Sequence, residues 1–225
     1  MSFGVSALSQ SLEVSFNYSV TYQIPSSMKN TIDTLKVKMD KNGHYLYTES
    51  NSLGHDFASS VFSNSGLDLS SATSSILLDA KRMIIYFNFE LDKNVMFFKM
   101  DLDKLLPNKG NAPIQDMNLI SEELTDKVII NNSSYAAYLL YPKSEPNNPL
   151  TVAIDTKRPV DNFSIINEFF KMMLQKSNSD GVFNLDIPDG LIISVKNDDE
   201  VLLEAIEIED VTTKINIQHS FNIKE

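Results

Sequence analysis

The sequence predicts a mainly β chain of α+β type. The expected architecture is a large curved antiparallel sheet, or incomplete β-barrel, wrapped around one apolar helix at about 162–176. Three observations predict it. Apolar and polar residues alternate strictly over long stretches, most clearly over 12–24 and 213–223, which is the period of a strand with one wet face. Turn signals such as Asn42-Gly43 separate the alternating stretches. One segment, 162–176, changes to a helical period, and its apolar arc is too wide to be left in water.

The elements follow in order. Leu12, Val14, Phe16, Tyr18, Val20, Tyr22 and Ile24 face one way, against Glu13, Ser15, Asn17, Ser19, Thr21 and Gln23. Pro25 is expected to end this strand, because it cannot donate to a ladder. Leu35, Val37 and Met39 alternate with Lys36 and Lys38, and Tyr45 and Tyr47 resume the pattern after Asn42-Gly43, so a hairpin is expected there. The Ser- and Asn-rich stretch 50–75 is read as loops around a weak strand near 57–62. Segments 76–78, 83–89 and 95–100 read as three strands, with turns at 79–82 and 92–94. Met83, Ile85, Phe87, Phe89 and Leu91 mark one face, and Ile84 and Tyr86 make the other face apolar too, so this part of the sheet is expected to be covered on both sides.

A loop is expected at 107–113, then strands at 127–130 and 135–141 meeting at Asn131-Asn132. A polar loop, 142–149, leads to a short strand at 150–155. In the helical segment Ser164, Glu168, Lys171 and Gln175 form one narrow polar stripe, and Ile165, Ile166, Phe169, Phe170, Met172, Met173 and Leu174 cover the rest. The apolar arc is roughly 200° wide, on a helix about 22 Å long, with Asp161 placed as N-cap after Pro159. Strands return at 191–195 and 201–209 around the turn 197–200, and a last strand alternates over 213–223.

Composition bounds the rest. At 225 residues one domain, 11–225, is expected, since all-β domains run to about 200–250 residues. The absence of cysteine excludes disulfides, thiolate zinc, Fe–S clusters and a cysteine nucleophile. A net charge of −11, with arginine only at Arg82 and Arg158, argues against nucleic-acid and anionic-membrane partners, both of which require a basic patch. Apolar runs such as 135–141 fall far short of the ~20 residues that span a bilayer, so no membrane-spanning segment is expected. Residues 1–10 are small and apolar, and Ala7 and Ser9 sit two apart as at an export cleavage site; they read as a signal-peptide remnant, the alternative being an ordinary disordered N-terminus.

No catalytic signature emerges. His44, His55 and His219 are spread along the chain with no metal-ligand spacing. There is no Gly-x-Ser-x-Gly elbow, no phosphate-cradling glycine loop and no twelve-residue calcium loop around Asp101-x-Asp103 or Asp198-Asp199-Glu200. The chain is therefore read as non-enzymatic, with no metal or cofactor. The Phe and Met content of the helix is the one feature with a functional reading. Phe169, Phe170, Met172 and Met173 line either an adaptable apolar cavity or a packed core.

The run Ile76-Leu-Leu-Asp79-Ala-Lys-Arg82, Tyr86, Lys93-Asn-Val-Met-Phe97 and Met100-Asp101-Leu-Asp-Lys-Leu105 resembles an exported family of Bacteroidota-type proteins. Gly190-Leu-Ile-Ile-Ser and Leu203-Glu-Ala-Ile-Glu-Ile-Glu209 resemble that group's late strands. These proteins share the architecture of the outer-membrane lipoprotein carriers (LolA-like). The lipoprotein carriers begin with a helix whereas this chain begins with a strand, so what the resemblance implies is the architecture: a half-open antiparallel barrel closed by helix, often holding a lipid or acyl chain. It implies no catalytic residue.

Together these readings lead to a soluble, exported protein of the periplasm or cell envelope that binds or carries an apolar ligand, a lipid or acyl group. The expected cavity is lined by Phe87, Phe89, Phe98, Phe169, Phe170, Met172 and Met173. The alternative is an envelope structural or interaction module with a fully packed core, meeting a protein partner through the exposed face of its long first strand. A hydrolase would need one of the three histidines beside an Asp or Ser in a cleft.

Overall fold

Strict alternation becomes strand throughout the described chain. The computed structural model describes residues 11–26, 31–50, 73–91, 94–102, 119–143, 146–162, 187–198 and 200–218. The N-terminal segment 1–10, the weak strand near 57–62, the loop 107–113 and, apart from Asn162, the helix at 162–176 lie outside these residues. No helix among the described residues is long and apolar enough to cross a membrane.

Strand β1 (Ser11–Ser26) buries Val14, Phe16, Val20 and Tyr22 and exposes Glu13 and Ser15. It runs through Pro25 rather than ending there. Pairing with the last strand stops at Gln23, so Pro25, opposite Ile32, has a side on which no ladder bond is required. Strands β2 (Thr31–Met39) and β3 (Tyr45–Glu49) form the Asn42-Gly43 hairpin. Gly43 takes a φ of 65°, and the buried carboxylate of Asp40 accepts from the backbone N–H groups of Asn42 (3.2 Å) and Tyr45 (2.6 Å).

Strands β4 (Thr73–Asp79), β5 (Ile84–Leu91) and β6 (Asn94–Asp101) continue the meander. Met83 belongs to the turn and not to the strand, because closing the chain between Asp79 and Ile84 uses a left-handed residue, and Met83 supplies it at φ 53°. The turn is capped by Asp79, whose Oδ1 accepts from Arg82 N–H at 3.0 Å.

Strand β7 (Leu119–Glu123) escapes the periodicity argument, since Leu-Ile-Ser-Glu-Glu does not alternate. Strands β8 (Val128–Ile130) and β9 (Ser133–Pro142) meet at Asn131-Asn132, with φ of 50° and 62°, the two left-handed positions of a type I′ hairpin. Strands β10 (Leu150–Asp155) and β11 (Leu191–Asn197) follow. Strand β12 (Glu200–Gln218) joins the two expected late strands into one. Against β1 its register shifts twice, between Ala205 and Glu207 and between Asp210 and Thr213. Each extra residue resets the alternation, which is why Ile206 is exposed while Ile208 packs against the core.

The sheet is antiparallel throughout and open, in the order β6-β5-β4-β3-β2-β1-β12-β11-β10-β9-β7, with β8 also on β9. The first and last strands are thus central neighbours. β2 pairs with β1 only from Tyr18 onward, and β11 with β12 only over 200–204. The remainder, Ser11–Phe16 against Thr213–Gln218, extends as a two-stranded ribbon.

Among the described residues, three groups of buried side chains follow from this order. One spans the centre and includes Val20, Tyr22, Val37, Ile130, Leu191 and Ile193. A second joins Val14 and Phe16 of the ribbon to Tyr47, Leu77 and Tyr86. A third comprises Tyr138, Val152, Ile154 and Ile187. Polar links tie the later strands together. Arg158 donates from Nη1 to Asp155 (2.7 Å) and, through Nε and Nη2, to both oxygens of Asp210 (3.0 Å each). Asn162 donates to the carbonyl of Gly190, whose own N–H donates to Val160 at 3.0 Å.

Candidate functional site

Strand register sorts the β3–β6 wing into two apolar faces. Thr48, Ile76, Phe87 and Phe98 lie opposite one another on one face, and Tyr47, Leu77 and Tyr86 on the other, with Phe97 opposite Asn88 on that second face. Successive residues of a strand point to opposite sides, so Phe97 and Phe98 belong to different environments.

The first face gathers three of the expected cavity residues. Phe87 and Phe89 stack with ring centroids 6.2 Å apart, and Phe89 meets Phe98 edge-on at 6.0 Å. Phe87 is 4% and Phe89 1% exposed. Phe169, Phe170, Met172 and Met173 lie outside the described residues.

The second face carries an open groove. The ribbon packs Val14 and Phe16 onto Tyr47, Leu77 and Tyr86, and three hollows that share Tyr47 remain beside it. One, of about 350 Å³, lies over Leu77 and Tyr86, with Phe97, Val95 and Ile215 as apolar walls. The next, of about 430 Å³, is bordered by Glu49, Ser75, Asn88 and Glu90. The last, of about 340 Å³, is bordered by Ser19, Lys36, Lys38, Glu49 and Glu209. The first hollow also takes in Ser75, Asn88 and Asn216, so its lining is mixed but carries no charge, whereas the other two are bordered by charged side chains.

Tyr47 is the pivot. Its ring lies 5.8 Å from that of Phe16, and its hydroxyl donates to Glu49 Oε1 at 3.0 Å. Burial pushes its phenol up to about 12, with the Ser75 hydrogen bond opposing and the Glu49 hydrogen bond adding to the shift. Lys38 places Nζ 5.3 Å from the centre of the same ring, within cation–π range, and 3.8 Å from Glu49. Lys36 Nζ is 3.4 Å from Glu209. Ser19 is 2% exposed, and its Oγ has no hydrogen-bond partner among the described residues.

His44 sits in the β2–β3 turn, edge-on to Tyr45 at 6.5 Å, and its carbonyl accepts from Ala80 N–H. His55 and His219 lie outside the described residues. Among the described residues no three His, Asp or Glu side chains are gathered into a metal-holding cluster.

Alternation alone sets Ser19 on the polar face of its strand and Lys36 and Lys38 against Leu35, Val37 and Met39, and it does not reveal the groove. One signal for it was available. Counting back from Asn42-Gly43 sets Lys38 opposite Tyr47, as the hairpin register does. The ribbon that walls the groove depends on pairing between the two ends of the chain, which no local pattern announces. No protein-family model matches the chain, and no curated protein matches it.

Proposed function

We propose that the chain is a non-enzymatic binding or carrier protein for an apolar ligand, a lipid or acyl group, exported to the periplasm or cell envelope. On this reading the sheet curves as an incomplete barrel around the helix expected at 162–176. The observation that supports it best is the hollow over Leu77 and Tyr86, walled by Phe97, Val95 and Ile215. An acyl chain laid against Leu77, Val95, Phe97 and Ile215 would leave water there, while Ser75, Asn88 and Asn216 border the same hollow with polar groups. The resemblance to the lipoprotein-carrier group points the same way.

The adjacent residues Phe97 and Phe98 test both the reading and the face. A fluorescent fatty-acid probe is titrated into the wild type, Phe97→Asn and Phe98→Asn, each checked for native circular dichroism. Loss of binding in Phe97→Asn alone assigns the ligand to the groove, and loss in Phe98→Asn alone assigns it to the aromatic face with Phe87 and Phe89. The double change Phe169→Asp with Met173→Asp is the matching test of the expected helix. No uptake by the wild type, or undiminished uptake by every folded variant, overturns the reading.

The second reading is an envelope interaction module. Leu202 and Ile206 favour it, because both are large apolar side chains of β12 left 39% and 44% exposed. A partner recovered from an envelope extract by the wild type and lost on Ile206→Lys would select it.

A further inference from the structure

The two ends of the groove differ in chemistry, and the charged end specifies more than an acyl chain requires. Its two ammonium groups are loosely held. Lys36 lies 3.4 Å from Glu209 and Lys38 3.8 Å from Glu49, whereas Lys214 and Glu13 on the ribbon meet at 2.8 Å. A lysine carries three donors, so both retain protons for a ligand oxygen. Ser19 adds a third group: its hydroxyl is 2% exposed, borders the same hollow and has no partner among the described residues. Buried hydroxyls are normally hydrogen-bonded, and an acceptor in this hollow would supply the missing bond.

The carboxylates define the other half of the ligand. Glu49 and Glu209 border this hollow, and Glu49 and Glu90 border the next. A purely anionic head group would meet those carboxylates as like charges, and a neutral one would engage neither the lysines nor the carboxylates beyond the long pairs they make with each other. A group bearing both signs satisfies both sets.

We infer that the groove takes an amphiphile with a zwitterionic phosphate–ammonium head group. The phosphate lies at Lys36, Lys38 and Ser19, the ammonium lies toward Glu49 and Glu90, and the acyl chain runs over Tyr86 to Phe97 and Ile215. This assignment rests on the carrier reading above.

The test is displacement of the fluorescent fatty-acid probe by three lipids of equal chain length below their micelle concentrations: lysophosphatidylethanolamine, the free fatty acid and the monoacylglycerol. Lysophosphatidylethanolamine is expected to displace at about tenfold lower concentration than the monoacylglycerol, the effect of one charge-assisted hydrogen bond. Lys36→Ala with Lys38→Ala is expected to abolish that advantage, so that lysophosphatidylethanolamine and monoacylglycerol displace at equal concentration. Ser19→Ala is expected to weaken lysophosphatidylethanolamine more than monoacylglycerol. Equal displacement by all three lipids, preference for the free fatty acid, or an advantage that survives in the double variant overturns the head-group assignment and leaves the carrier reading standing. Failure of the wild type to bind the probe overturns the carrier reading and the assignment with it.

Discussion

Gly190 shows how much one residue can decide in this protein. It sits where the chain enters β11, and a Cβ built there would collide with Ile154 Cγ2 and lie 2.9 Å from the carbonyl oxygen of Asp155. Ile154 is 1% and Asp155 5% exposed, so neither can move aside into solvent. Gly190→Ala is expected to destabilise by about 1–3 kcal/mol, the usual range for overpacking a filled interior. Urea denaturation should show a lower midpoint with an unchanged slope; an unchanged midpoint would mean that the β10–β11 contact yields easily. Tyr47 carries a pH dependence. Its phenol ionises near 10.0 in the ordinary state and near 12 in the folded protein. Its contribution to stability is therefore complete below about pH 10 and is lost as pH rises from 10 toward 12, because the unfolded chain releases the proton first. Burial moves Tyr22 in the same direction, so Tyr47→Phe should lessen the alkaline decline rather than remove it. Urea midpoints at pH 9 and 11 for both proteins check this, and parallel declines would count against Tyr47. Neither role is legible from residue type alone, since the collision at Gly190 and the burial of Tyr47 both come from strands remote in sequence.

At the scale of elements the sequence was most informative where turn chemistry and alternation agree. Asn42-Gly43 and Asn131-Asn132 each close a hairpin at the expected place. Asn132, at φ 62°, occupies a conformation that a β-branched residue adopts only with strain. Asn132→Val is expected to lower stability by about 1–3 kcal/mol, and Asn132→Gly to hold or raise it. Thermal melts of the three proteins check the order, and a Val variant as stable as the wild type would argue against the type I′ turn. Alternation misled where it was interrupted. β12 reads as two strands because its bulges shift the phase of its apolar residues, while its pairing with β1 carries on across them. β7 was missed for a related reason: a short strand of two apolar and three polar residues has no period to detect, and it is specified by its partner β9.

For the whole molecule the defining feature is that β1 and β12 are neighbours at the centre of an open sheet. Closing that pair brings together nearly the full length of the chain, and such non-local pairing is slow to form but cooperative once made. We expect the amides of Tyr18–Gln23 and Glu204–Asp210 to exchange most slowly with deuterium, and those of β6 and β7, the ends of the sheet, to exchange sooner. Hydrogen-exchange mass spectrometry resolves these segments. Faster exchange at the β1–β12 pair than at the ends would mean that the two halves of the sheet open about their shared centre. The same pairing creates the candidate site, because the groove exists only where the ribbon of β1 and β12 packs beside Tyr47, Leu77 and Tyr86.

The sequence by itself determined the mainly antiparallel β class, most strand positions, both asparagine hairpins and the two apolar faces of β5 and β6. These properties are set by alternation and turn residues acting over a few positions, so they can be read locally. Only the tertiary structure decided that the chain's two ends pair and that Ser19, Lys36, Lys38 and Tyr47 border one groove. Those outcomes depend on register between distant strands, and a strand's side-chain pattern records which face is buried without recording which strand lies alongside.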